Sequence, residues 1–318
     1  MSMATGSRET AAWTDAAVGD ARTLATRLGC ESAEDEPLAR HTSMGVGGPC
    51  RVMLWPRRAD DVRALCRWMG SRGLPWRVLG GGSNLLVAAD DYPGAVISTT
   101  RLIGGDEPEP EACTLAAGTP TKQALSRSVE RGLDGLVWAT GLPGTLGGAA
   151  AGNAGCWGGD MAGTVTHLDV VSADGEARRV PGEKLRWSYR DLDLAAAAGP
   201  DAVIVAVGVH LREADPEALR RRYEELSRLK RRRQPVGGRS SGCVFRNPDD
   251  ERTAGQLIEA AGCKGLRIDG ARVSEVHANF LINDGGATAA AVDRLIDEIR
   301  RRVRERFGIE LQREVRRW

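Results

Sequence analysis

The chain has 318 residues, 42% hydrophobic and 27% charged, the balance of an ordinary globular protein long enough for two or three cores. Lys and Arg number 44 against 43 Asp and Glu, and a net charge of +1 provides no field to gather nucleic acid or coat a membrane. No apolar run approaches the ~20 residues of a membrane span, the seven cysteines and four histidines lack metal-ligand spacing, and the N-terminal stretch carries acidic residues without an apolar signal core; these features predict a cytoplasmic protein with reduced thiols, no metal and no membrane insertion.

In chain order, residues 1–36 read as a peripheral N-terminal extension, with a helix over Val18, Leu24 and Leu28. RVMLW (51–55) predicts a strand, and Val62, Leu65, Cys66 and Met69 then recur at helical spacing over 58–70. WRVL (76–79) is a second strand that runs into Gly80, Gly81 and Gly82, and GAVIS (94–98) is a third. Together they outline a first unit over 37–99, a β-α-β arrangement ending in glycines. A second unit, 100–213, opens with the strand ACTLAAG, and Thr119-Pro120 starts a helix that runs through Val129 and stops at Gly132. VTHLDVVSADGEARRV reads as a hairpin with Asp174-Gly175 at its turn, and AVIVAVGVHL (202–211) as a buried strand. A third unit, 214–318, begins with a long charged helix from Pro216 to about Arg233. A helix around AGQLIEAAG, a strand-like HANFLIN, and a helix carrying Val292, Leu295, Ile296, Ile299, Val303 and Phe307 up to Gly308 follow, and IELQREV (309–315) closes as a strand.

The 40 glycines cluster at 45–48, 80–82, 141–159 and 237–242. Glycine at the end of apolar runs gives up side-chain packing, so either the backbone turns where side chains are forbidden or a ligand approaches it closely. Two such loops lie about sixty residues apart, RVLGGGSNLL (77–86) and GLPGTLGGAAAGNAG (141–155). Ser83, Asn84 and Thr145 add side-chain donors to them. Neither is a Rossmann fingerprint or a P-loop, and a lone glycine loop is more often a turn than a site. Two of them with hydroxyl and amide partners favour a diphosphate.

HTSMGVGGP (41–49), VLGGGSNLL (78–86) and GLPGTLGGAAAGNAG resemble the flavin-binding segments of the UDP-N-acetylenolpyruvoylglucosamine reductases, the MurB family. The resemblance continues through WSYRD (187–191), RRRQPVGGRSSGCVFRNP (231–248), AGQLIEAAGCKGLRIDGARVSEVHANFLIN (254–283) and LQREV (311–315), and so covers nearly everything from about 38 to 318. The short stretch between 191 and 202 is similar to the family's shorter, type II-like subtype. The resemblance implies an α+β protein: a two-subdomain, vanillyl-alcohol-oxidase-like (PCMH-type) FAD-binding fold plus a C-terminal α+β substrate domain. It implies non-covalent FAD held by Gly80, Gly81, Gly82, Ser83, Asn84 and Leu85 of the first loop. From the second loop it implies Gly141, Pro143, Gly144, Thr145, Gly147 and Gly148, with Asn153, Ala154 and Gly155 beyond them.

The activity implied is NADPH-dependent reduction of an enolpyruvyl ether on a UDP-sugar to UDP-N-acetylmuramate, a peptidoglycan precursor. Such a reduction needs a hydride donor, stabilisation of charge on the carboxylate side, and a proton for the adjacent carbon. The resemblance carries the carboxylate-stabilising arginine onto Arg190 and the glutamate onto Glu314. Taken singly, each reads as a solvated charge beside a strand. The family's usual serine proton donor is replaced by Cys243; an ordinary thiol titrates near ~8.5 and releases a proton more readily than an alcohol does. Tyr189, Arg231 and Asn247 match substrate-binding positions, whereas His277 and Asn279 lie in a family motif with no role assigned by chemistry. Gly45 stands where many relatives carry a larger residue, and AAAGNAG where bulkier side chains are common, which would loosen flavin packing. A monomer or weak oligomer is expected. Two other readings stay open from the residues: another FAD oxidoreductase of the same superfamily, such as a hydroxy-acid or sugar oxidase, and a catalytically silent flavin or nucleotide-binding module.

Overall fold

The computed structural model describes residues 11–318 apart from 89, 112, 236, 249 and 250, so the first ten residues of the expected extension lie outside it. The chain divides into two compact units and passes between them repeatedly. One comprises the residues up to Glu36 with Cys50–Gly80 and Tyr92–Arg220; the other comprises Pro37–Pro49, Gly81–Asp91 and Arg221–Trp318.

In the first unit, α1 (Asp15–Leu28) starts at Thr14, whose hydroxyl accepts the Ala17 N–H, and stops at Gly29 in the left-handed region. Its Val18, Ala21 and Ala25 are buried in one core with Val62, Leu65, Cys66 and Met69 of α2 (Ala59–Gly70). The N-terminal segment is therefore part of this core, and the Trp13 indole N–H anchors it on the Pro75 carbonyl at 2.8 Å. Strands β1 (Glu31–Pro37), β2 (Pro49–Trp55), β3 (Trp76–Leu79) and β4 (Tyr92–Ser98) form a sheet in the order β1-β2-β4-β3. Both β2 and β3 run parallel to β4, so the β-α-β pattern in the sequence is a split unit with β4 inserted.

A second, antiparallel sheet follows the order β9-β8-β12-β5, from β5 (Cys113–Ala116), β8 (Val165–Val171), β9 (Ala177–Pro181) and β12 (Val203–Val209). Gly175, with φ +82°, takes the tight turn between β8 and β9. Between β5 and β8 lie α3 (Thr121–Glu130), α4 (Leu146–Ala151), β6 (Gly155–Cys156) and β7 (Gly159–Asp160). The ribbon β10 (Trp187–Ser188) and β11 (Asp191–Leu192) precedes β12.

The second unit is continued by α5 (Pro216–Arg233), within which the boundary falls at Arg220. Its core packs α6 (Ala254–Ala260) and α7 (Ala289–Phe307) against a three-stranded antiparallel sheet of β13 (Arg267–Ile268), β14 (Ala271–Val273) and β15 (Leu281–Asn283). Val292, Leu295, Ile296, Ile299 and Val303 form the buried stripe of α7. Met44, Val46 and Leu86 join this same core. The expected strand over 309–315 is corrected: only Arg313 bridges, to Phe245, and the ladder forms one step later, where Arg316–Arg317 pairs in parallel with Leu85–Leu86. Among the described residues no helix is long and apolar enough to cross a membrane.

At the start of α2, Asp61 is 1% exposed and accepts hydrogen bonds from the Arg57 and Arg58 backbone N–H groups and the Arg58 guanidinium. Burial pushes its carboxyl up, but those hydrogen bonds outweigh burial and hold it below the ordinary value. A depressed carboxylate stabilises the fold above its unfolded titration and loses that contribution as pH falls through its folded value. Asp61→Asn should therefore cost about 1 kcal/mol at neutral pH, and the gap from the parent should close below about pH 4; urea melts across pH 3–8 measure it.

Candidate active site

Gly80 follows β3 directly, within the first unit. A Cβ placed there would stand 2.8 Å from the Thr145 hydroxyl oxygen and 3.5 Å from the Gly148 Cα, so only bare backbone can lie against the second glycine loop. Thr145 is buried, and its hydroxyl caps α4 by accepting the Gly148 N–H. Gly141 and Gly144 both have positive φ, at +76° and +93°. The Thr121 N–H donates to the Gly144 carbonyl, which ties this loop to α3. Gly80, Gly144 and the Thr145 hydroxyl thus bring glycine backbone together, which fits the closely approaching oxygens of a diphosphate and hence of FAD. Gly147 serves packing: its N–H donates to the Ala117 carbonyl, and a Cβ would meet Ala117 at 2.7 Å. Gly141, Pro143 and Gly148 are exposed.

Arg190 and Tyr189 form the two-residue turn between β10 and β11. Arg190 has φ +58°, a region that favours glycine, so this side chain is displayed at a backbone cost. Its guanidinium lies over the Tyr189 ring at 5.2 Å, and a Cβ at Gly155 would stand 2.9 Å from an Arg190 terminal nitrogen. The same Cβ would meet the Gly159 carbonyl oxygen and the Asp160 Cβ of β7 at 2.8 Å, so Gly155 is bare for the close β6–β7 pairing, with the guanidinium lying beside it. Asn153, 5% exposed, holds the ribbon: its Nδ2 donates to the Ser188 carbonyl, and its Oδ1 accepts the Ala162 N–H. The hydrogen bonds of Asn153 therefore go to the Arg190 ribbon and its supporting loop. Ala154 joins that loop through its N–H to Ala149 and its carbonyl to Met161.

The remainder of the first glycine loop lies in the second unit. Gly82 has φ +59°, its carbonyl accepts the Ser43 N–H, and a Cβ there would sit 2.0 Å from the His41 carbonyl oxygen. Gly81 and Ser83 are half-buried, while Leu85 is buried in the strand facing Arg316. Asn84 donates its amide to the Glu314 carbonyl, and its own carbonyl accepts the Arg316 N–H. The space beside Gly45 is not loose: the Arg239 Cδ would stand 2.6 Å from a Cβ there. Asn283 fastens the Met44 carbonyl from β15.

Cys243 is half-buried and bridges Phe280, and none of the seven cysteines is in a disulfide. Two residues on, Phe245 bridges Arg313, and the Glu314 N–H donates to the Val244 carbonyl at 2.7 Å. That antiparallel bridge sets Val244 opposite Glu314 and leaves Cys243 one residue away along its segment. The thiol and the carboxylate residue are thus on paired segments, although 71 residues separate them in sequence. Asn247 is exposed, and its Oδ1 accepts the Ala254 N–H at the start of α6, beside the Thr253 capping box. Arg231 is exposed near the end of α5.

The unassigned motif residues acquire contacts. The His277 Nδ1 accepts the Asn279 N–H, and burial lowers the imidazole's basicity, so the ring is neutral at pH 7. Asn279 is 3% exposed and faces the Phe245 backbone. Sequence reasoning located the motif but had no means of seeing what it touches.

Fold and site together define a flavoprotein of the α+β class. Residues 50–181 match the family described as FAD binding domain, and residues 234–318 match UDP-N-acetylenolpyruvoylglucosamine reductase, C-terminal domain. Over 283 residues the chain is 44% identical to the UDP-N-acetylenolpyruvoylglucosamine reductase of Heliobacterium modesticaldum, covering 89% of each chain. It is 42% identical to that of Anaeromyxobacter dehalogenans, covering 92% of this chain and 87% of the other. The crystal structure of the Thermus caldophilus enzyme (MurB) superposes with a TM-score of 0.76 at 32% identity, covering 91% of this chain and 98% of that one. The chain belongs to the UDP-N-acetylenolpyruvoylglucosamine reductase family.

Gly80→Ala should force the second loop away and weaken FAD binding at least roughly tenfold, equivalent to about 1.4 kcal/mol. Flavin fluorescence titration of the apoprotein measures it, with an unchanged far-ultraviolet circular dichroism spectrum as the control for folding.

Proposed function

We propose that the protein is a cytoplasmic, NADPH-dependent, FAD-containing reductase that converts UDP-N-acetylglucosamine enolpyruvate to UDP-N-acetylmuramate for peptidoglycan precursor synthesis. The observation that carries this reading is the pairing of the Cys243 and Glu314 segments through the Glu314 N–H and the Val244 carbonyl. It supports a site in which a thiol and a carboxylate serve one reacting group.

The chemistry that FAD supplies when bound is hydride delivery to the enolpyruvyl double bond, NADPH being the reductant. Arg190 holds the substrate carboxylate, where charge builds as the double bond is reduced; a guanidinium fork matches two oxygens of a planar enediolate. Its fixed turn conformation, stacked on Tyr189 and seated on Gly155, supports that orienting role. Cys243 gives the Sγ proton to the carbon next to the carboxylate. Glu314 orients that proton donor and the developing enediol. Arg231 and the exposed amide of Asn247 bind the anionic sugar nucleotide. The family's reaction class and the chain's near-zero net charge suit a small anionic substrate better than a polymer.

The purified protein should be yellow, bleach on NADPH and recolour when the enolpyruvyl substrate is added; a protein that bleaches but is not recoloured by that substrate overturns the reading. Cys243→Ser should keep substantial turnover, whereas Cys243→Ala should still be reduced by NADPH but stall with the substrate. Arg190→Gly separates strain from catalysis. It relieves a left-handed residue worth about 1 kcal/mol, so the melting temperature should hold or rise, while turnover should fall by about 100-fold or more.

A further inference from the structure

The segment carrying Cys243 belongs to no strand. Its backbone polar groups are satisfied from two sides. The Val244 carbonyl accepts from Glu314 and Val315 on one side, and the Val244 N–H donates to the Asn279 carbonyl on the other. Phe245, 1% exposed, has both its main-chain groups bound to a single side chain: its N–H donates to the Asn279 Oδ1 at 2.9 Å, and its carbonyl accepts the Asn279 Nδ2–H at 2.8 Å. A primary amide is the smallest side chain that presents one acceptor and one donor in the spacing of a neighbouring strand. Asn279 therefore replaces a missing strand beside Cys243, and its placement is fixed in turn, because its own N–H donates to the His277 Nδ1. The His277 ring packs edge-on against Phe280, the residue that bridges Cys243.

We propose that Asn279 is a positioning residue for the reduction, whose buried amide fixes the backbone at Phe245 and thereby sets where the Cys243 thiol stands. This rests on the reading of Cys243 as proton donor. Asn279 touches neither substrate nor cofactor in this role and acts only through the 243–245 backbone. Aspartate at 279 is isosteric and keeps the acceptor for the Phe245 N–H but has no donor for the Phe245 carbonyl; alanine loses both bonds.

The test uses full-length, FAD-loaded protein. In Asn279→Asp and Asn279→Ala, reduction by dithionite should match the parent. Reoxidation by the enolpyruvyl substrate in a single turnover should slow by about 100-fold, the scale of a small misplacement of a reacting group. KM should be little changed, and alkylation of Cys243 by iodoacetamide, followed by mass spectrometry of its peptide, should change in rate severalfold. Adding Asn279→Asp to Cys243→Ala should slow reoxidation no further, because a residue acting through the thiol has nothing left to position. An additive loss in the double variant, or a Cys243 alkylation rate equal to the parent's in Asn279→Asp, overturns the proposal. Normal turnover of Cys243→Ala alone instead removes Cys243 as the proton donor, and the alkylation rates still decide whether Asn279 sets the thiol. If Asn279→Ala does not fold, Asn279→Asp carries every arm.

Discussion

The exclusion of a single carbon atom at a few places governs this structure. Gly80 faces the Thr145 hydroxyl, Gly82 the His41 carbonyl, Gly147 Ala117, and Gly155 the Gly159 carbonyl, each at a separation that a Cβ could not occupy without displacing its neighbour. Only at Gly82 among these four is a positive φ also needed. The other three are bare because something must come close, which is the more demanding use of glycine. A methyl group costs little in volume, yet it would meet backbone at Gly82 and Gly155 and a short side chain at Gly80 and Gly147, none of which can swing aside.

Side-chain amides do the complementary work. Asn153 ties the Arg190 ribbon to its supporting loop, Asn279 takes both main-chain groups of Phe245, and Asn283 holds the Met44 carbonyl. All three are buried and hydrogen-bonded, as buried polar groups must be if they are not to destabilise the fold. Irregular segments lack the ladders that satisfy a strand or helix internally. An asparagine at each of them supplies those bonds and also sets one geometry. Arg190 and Cys243, each within its own unit, sit on such segments, and a buried asparagine amide braces each of them.

Arg190 adds a stored cost. A non-glycine residue in the left-handed region is disfavoured, and the turn persists because β10 and β11 pair on either side and Asn153 holds Ser188. The backbone conformation fixes where the guanidinium leaves the chain, and the Tyr189 ring and Gly155 limit where it can go. A long, flexible cation is thereby given one direction, as the proposed orienting of a planar carboxylate requires.

The sequence by itself determined the elements whose signals are local. The apolar periods of α2 and α7, the start of α3 after Thr119-Pro120, the Asp174-Gly175 hairpin and the helix stop at Gly308 all rest on residues within a few positions of one another, and periodicity and capping report on that range. The motifs likewise marked Arg190, Cys243 and Glu314 through their resemblance to the reductase family, and membership of that family rests on the match of residues 234–318 and on 44% identity over 283 residues. Tertiary structure alone decided which unit each segment joins: Pro37–Pro49 and Gly81–Asp91 cluster with the C-terminal residues although they precede them by well over a hundred positions. It also decided that the chain's last ladder forms at Arg316–Arg317, that Asn153 serves the Arg190 ribbon, and that Asn279 faces Phe245. Each of these is a contact between residues far apart in the chain, and neither propensity nor period carries information about a partner that only the closed core brings near.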